Sequence, residues 1–119
     1  MSKKPAHIRI GEKGEEIALQ FILKKGYKIL AQNYRTGHLE IDLIAMDGKV
    51  IVFIEVKTRK HNTHYTEDLI SETKQERLME AAEEYLHEMN IKNEPRFDLI
   101  SIELGKETEI MHYKDALLP

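Results

Sequence analysis

The stretch Leu39 to Arg59 reads LEIDLIAMDGKVIVFIEVKTR, two apolar and β-branched runs joined by Asp47-Gly48. Asp-Gly between such runs predicts a β-hairpin closed by a two-residue type I′ turn, which pairs Met46 with Lys49. Counting outward then sets Ile44 opposite Ile51, Asp42 opposite Phe53, Glu40 opposite Glu55 and His38 opposite Lys57. Because side chains alternate between faces, Glu40, Asp42, Glu55 and Lys57 fall on one side. Leu39, Ile41, Leu43, Val52, Ile54 and Val56 fall on the other as an apolar core surface.

Crowded carboxylates repel one another on a sheet, so this arrangement needs a counterweight. Two readings stand on the residues alone. In the first, Asp42 and Glu55 share a hard divalent cation such as Mg²⁺, a backbone carbonyl such as that of Val56 adds a ligand, and Lys57 stands beside the ion. In the second, the hairpin end is solvated and Lys57 pairs with Glu55 or Glu40.

Working outward, Ile17, Ala18, Phe21 and Ile22 recur at helical spacing and predict a first helix from about Gly11 to Lys25, ended by Gly26. YKILAQNYR reads as a strand and TGH as a turn before the hairpin. Leu78, Ala82, Tyr85 and Met89 mark a second helix ending near Asn90, with Ser71 or Thr73 as its cap. RFDLISIEL is strand-like, and TEIMHYKDAL supplies a further short segment. The order α-β-β-β-α-β-β predicts an α/β or α+β domain, a mixed sheet flanked by helices. The 119 residues fit one domain, with residues 1–10 as a flexible basic amino terminus.

Composition narrows the function. With 41% hydrophobic and 33% charged residues the chain has the apolar content to fold. It contains no cysteine, which excludes disulfides and thiolate zinc sites and suits a reducing, cytoplasmic setting. No apolar run reaches bilayer length, so no membrane partner is expected. The net charge of −3 is unevenly spread: Lys57, Arg59, Lys60, His61 and His64 form a basic run after the hairpin, whereas the second helix is acidic. The basic run suits phosphate contacts, or is an ordinary solvated loop. His61-x-x-His64 lacks an obvious third ligand for zinc.

An aspartate, a hairpin turn and then Glu-x-Lys, here Asp42 followed by Glu55-Val56-Lys57, resembles the signature of the PD-(D/E)XK nuclease superfamily. The segments GEKGEEIALQFILKKGYKILAQNYR, EIDLIAMDGKVIVFIEVKTR, TKQERLMEAAEEYL and RFDLISIEL resemble successive blocks of its YraN-like endonuclease family, itself similar to archaeal Holliday-junction resolvases. Leu39 departs from the glycine that this family usually carries before Glu-Ile-Asp. The resemblance implies a restriction-endonuclease-like fold and metal-dependent hydrolysis of DNA, duplex or branched, by a homodimer using Mg²⁺ or Mn²⁺. Asp42 and Glu55 would be metal ligands, Lys57 the group that orients the attacking water, and Glu15 the acidic residue on the first helix, with Glu40 alongside.

The residues themselves leave alternatives. Glu15 lies beside the apolar stripe of its helix, or is a carboxylate favoured by the helix dipole. Lys74 faces the site or a phosphate, or is a lysine snorkelling at the stripe edge, the simpler reading. Asp98 and Arg96 need be no more than a strand-edge ion pair. A nuclease scaffold can also serve as a non-catalytic nucleic-acid-binding or partner-binding module.

Overall fold

The computed structural model describes residues 4–60 and 70–116. Helix α1 spans Ala6–Lys24, strand β1 Lys28–Thr36, β2 Leu39–Asp47, β3 Val50–Lys60, helix α2 Glu72–Glu88, β4 Pro95–Leu104 and β5 Glu109–Tyr113. The expected order α-β-β-β-α-β-β is therefore present. Helix α1 begins five residues ahead of the expected Gly11, so residues 6–10 are helical. Ser71, not Thr73, caps α2, accepting a hydrogen bond from the Lys74 N–H at 3.2 Å.

The five strands form one mixed sheet in the order β1-β2-β3-β4-β5. Pairing is antiparallel except between β3 and β4, which run parallel. Parallel neighbours need a long crossover, and α2 lies within it. Helix α1 lies over β3 and β4, and α2 over β2 and β1. One apolar core, with Ile44, Ile51 and Phe53, meets Leu78, Ala82 and Tyr85 of α2. The other, with Leu43, Val52, Ile54 and Val56, meets Ala18 and Ile22 of α1. This is a restriction-endonuclease-like α/β fold, and among the described residues no helix is long and apolar enough to cross a membrane.

The sequence-based hairpin geometry needs two corrections. Asp47 pairs with Val50 and Met46 with Ile51, so the turn is Gly48-Lys49 and the register is two residues from the one counted above. Gly48 has φ +61 whereas Lys49 is not left-handed, which rules out the I′ form that needs positive φ at both positions. A shift of two preserves the alternation, but a second departure does not. Leu39 and Ile41 belong to the α2-side core whereas Leu43 and Ala45 belong to the α1-side core. The strand therefore changes phase around Asp42. Residues Ile51–Val56 of β3 are all buried, as expected of a central strand covered on both sides rather than a hairpin with one wet face.

Two features hold the layers in place. Gly14 sits on Thr58 so closely that a Cβ there would fall on the Thr58 side chain, which lets α1 lie directly on the end of β3. Asp98, fully buried on the interior strand β4, is not an edge residue as expected. Arg96 donates to both of its oxygens at 2.9 Å, His112 lies at 2.8 Å and the Asp115 N–H donates at 2.9 Å. Arg96 also reaches Asp47 and the Tyr27 hydroxyl, tying β2, β4 and the end of α1 together.

Burial works to raise the Asp98 pKa, but the hydrogen bonds from His112 and Arg96 outweigh it and hold the carboxyl at about 2. A depressed folded pKa contributes stability above the unfolded value, lost as pH falls through the folded one. Acid unfolding should therefore steepen between pH 3.8 and about 2. Asp98→Asn should flatten that limb and cost about 3 kcal/mol at neutral pH, measured by urea melts across pH. Gly14→Ala should cost about 1–3 kcal/mol through overpacking, partly relieved by Thr58→Ala.

Candidate metal and nucleic-acid site

The β2–β3 ladder runs from Asp47↔Val50 to Leu43↔Ile54, and one step further it would align Asp42 with Glu55. At that point the Asp42 side chain takes over: its Oδ2 accepts the Val56 N–H at 2.7 Å. A central strand cannot leave a buried N–H unpaired, so a carboxylate fills the gap as the phase of β2 changes. Asp42 is thereby fixed beside Glu55 at the fork between the strands.

Glu55 is buried, with 6% of its surface exposed. Its Oε1 lies 3.5 Å from the Lys74 ammonium, whereas Oε2 has no hydrogen-bond partner among the described residues. An unsatisfied buried carboxylate oxygen is costly unless a proton or a cation meets it. Burial, then the Asp42 charge, pushes the Glu55 pKa up to about 7, with Lys74 and Lys57 opposing. Burial likewise raises Asp42, with Glu40 adding to the effect and the Val56 N–H, Lys74 and a hydrogen bond from the Glu55 carboxyl when protonated opposing it. On α1, burial and the charges of Asp42 and Glu40 push Glu15 up to about 7. Glu15, Glu12, Gln32, Asn33 and Asp42 line a cleft of about 290 Å³ between α1 and the β1–β2 hairpin.

The sequence-predicted residues thus separate into groups. Asp42 and Glu55 adjoin at the fork, and the exposed Lys57 acts on Glu55 through its charge. Glu15 approaches Asp42 from α1 without completing a three-acid cluster among the described residues, and the approach of α1 depends on Gly14; a glycine inside an apolar helical pattern was the available signal. Lys74 comes from α2 with its ammonium toward Glu55, the site-facing of its two readings, while its side chain stays half-exposed. Glu40 does not stand opposite Glu55 as counted; it pairs with Arg35 of β1, at 3.5 Å. Arg59 donates to the Ser101 hydroxyl at 3.4 Å, and Lys60 is exposed at the end of β3. His61 and His64 lie outside the described residues. Leu39, the departure from the family pattern, packs half-buried against the α2-side core.

Asp42 and Glu55 form an oxygen-only donor pair of the kind a hard divalent ion prefers, and the unpartnered Oε2 fits such an ion. Among the described residues no group of three His, Asp or Glu side chains is gathered closely enough to hold a metal. The remaining positions would then fall to backbone oxygens, water and a substrate phosphate, as is usual for Mg²⁺.

Raised pKa values carry a sign. Glu15 and Glu55 contribute stability that is present below the ordinary value of 4.5 and is lost as pH rises through about 7. The metal-free protein should therefore melt at a higher temperature near pH 5 than near pH 8. Asp42→Asn, which removes a charge while keeping an acceptor for Val56, should raise the metal-free melting temperature at pH 8 by a few degrees, read by calorimetry.

Residues 14–102 match the model of the "Uncharacterised protein family UPF0102". A UPF0102 protein of Cytophaga hutchinsonii is 40% identical over 113 residues, covering 94% of this chain and 98% of that protein. UPF0102 protein STH1475 of Symbiobacterium thermophilum is 43% identical over 101 residues, covering 83% and 86%. UPF0102 protein TTE1452 of Caldanaerobacter subterraneus is 41% identical over 107 residues, covering 88% of each. With the fold and the Asp42/Glu55/Lys57 arrangement alongside, the chain belongs to the UPF0102, or YraN-like, family of the PD-(D/E)XK superfamily.

Proposed function

We propose that the protein is a Mg²⁺- or Mn²⁺-dependent endonuclease that hydrolyses phosphodiester bonds in DNA, with branched, resolvase-type substrates in view and a homodimer as the working form. The observation that carries this reading is the buried, unpartnered Oε2 of Glu55 beside Asp42, with two lysines acting on the same carboxylate. A stable structural ion pair satisfies its oxygens; this pair leaves one open at a strand fork.

Asp42 and Glu55 would hold the ion, which when bound supplies Lewis-acid polarisation of a phosphoryl oxygen and a more acidic water. Lys57 follows Glu55 by two residues on β3 and is exposed, so its ammonium can hydrogen-bond an attacking water and balance charge developing on phosphate oxygens. Val56 N–H anchors the Asp42 carboxylate and limits its rotation, so the pair needs little reorganisation. Glu15 lies on the α1 side of the fork, where it can accept or return a proton near neutral pH. Arg59, Lys60, His61 and His64 would grip flanking phosphates, which positions a duplex without reading its bases. A non-catalytic nucleic-acid-binding module is the competing reading, favoured by the lack of a three-acid ligand set among the described residues.

Purified protein on labelled linear, flapped and four-way-branched DNA with Mg²⁺ or Mn²⁺ tests the proposal. Cleavage should stop in excess EDTA, and Asp42→Ala, Glu55→Ala and Lys57→Ala should each reduce it at least a hundredfold, on the order of one lost transition-state contact. Binding without cleavage under every metal condition would establish the competing module instead. Neutralising Arg59 and Lys60 should make the dependence of log affinity on log salt shallower by roughly one unit per lost contact.

A further inference from the structure

The fork already contains a cation of the chain itself. Lys74 approaches Glu55 from α2, on a different element from Lys57, with its ammonium 3.5 Å from Oε1 and its side chain 45% exposed. It stands three residues after the Ser71 cap, in the first turn of the helix. That is the unfavourable end for a positive charge, because the helix dipole places its positive pole there. A half-exposed ion pair at the wrong helix end adds little stability. What Lys74 does do is lie against a carboxylate whose other oxygen is buried without a partner among the described residues.

A divalent ion on Asp42 and Glu55 would meet this ammonium at close range, and two cations cannot share a carboxylate without repulsion. Lys74 has a long flexible stem and an exposed side, so it can leave the pair by rotamer changes alone. Lys57 has no such contact with Glu55 within ion-pair distance, which separates the two lysines by role.

We propose that Lys74 is the resident counter-cation of the Asp42–Glu55 pair: it neutralises the pair in the metal-free protein, is displaced by the incoming divalent ion, and then turns outward to hold a phosphate of the nucleic acid. This inference rests on the metal-site reading above. It makes metal and lysine competitors for one carboxylate, and makes metal binding prepare a phosphate contact.

The test compares wild type, Lys74→Gln, Lys74→Arg and Glu55→Gln by titration calorimetry with Mn²⁺ alone, and by thermal melts with and without Mn²⁺. Lys74→Gln should bind Mn²⁺ about three- to tenfold more tightly, as expected on removing one half-screened unit charge. Its Mn²⁺-induced rise in melting temperature at pH 8 should exceed that of wild type. Lys74→Arg should bind Mn²⁺ as wild type does. In Ca²⁺, Lys74→Gln should bind linear duplex DNA more weakly, with a salt slope shallower by about one. If Lys74→Gln binds Mn²⁺ no more tightly than wild type while Glu55→Gln loses binding, the exchange is overturned and the metal site stands. If Mn²⁺ binding is absent from wild type or survives Glu55→Gln, both readings fall.

Discussion

The hydrogen bond from the Val56 N–H to the Asp42 carboxylate is the contact on which the site depends. β3 lies between β2 and β4 and is buried on both faces, so its backbone donors must find partners within the protein. Where the β2–β3 ladder ends at Leu43↔Ile54, a side chain replaces the main chain as acceptor. That substitution draws a charged group into the sheet and sets it beside Glu55. It also coincides with the phase change of β2, which hands Ile41 to one core and Leu43 to the other.

Two buried acids in adjacent strands show how environment separates structure from chemistry. Asp98 pairs in register with Ile54, one residue from Glu55, yet every oxygen of Asp98 is met by Arg96, His112 or the Asp115 N–H. Those donors favour the charged form, and its pKa lies at about 2. Glu55 has one half-exposed lysine at 3.5 Å and an oxygen with no donor among the described residues, and its pKa lies at about 7. Full satisfaction makes the first a brace. Partial satisfaction leaves the second with a raised pKa.

The helices contribute by bringing charge to the fork from opposite faces. Close approach of Gly14 to Thr58 sets α1 low over β3 and carries Glu15 toward Asp42. The Ser71 cap starts α2 where Lys74 can reach Glu55. The result is a negative cleft on the α1 side and a lysine on the α2 side, with Asp42 and Glu55 between.

Local pattern was enough to establish the element order, the covering helices and the nuclease-like signature that Asp42, Glu55 and Lys57 carry. These follow from short-range rules: strand alternation, helical spacing, turn and cap residues. The register of the hairpin was not determined by them, because Asp47-Gly48 and Gly48-Lys49 are both acceptable two-residue turns and a shift of two leaves every side chain on the same face. Nor could alternation reveal the phase change at Asp42, where a side-chain carboxylate accepts the Val56 N–H. The positions of Glu40 and Lys74 went the same way: Arg35 of β1 claims the first, and the second reaches Glu55 across the gap between helix and sheet. Which charges meet is set by the three-dimensional approach of separate elements, since burial and charge pairing depend on distance through space rather than along the chain.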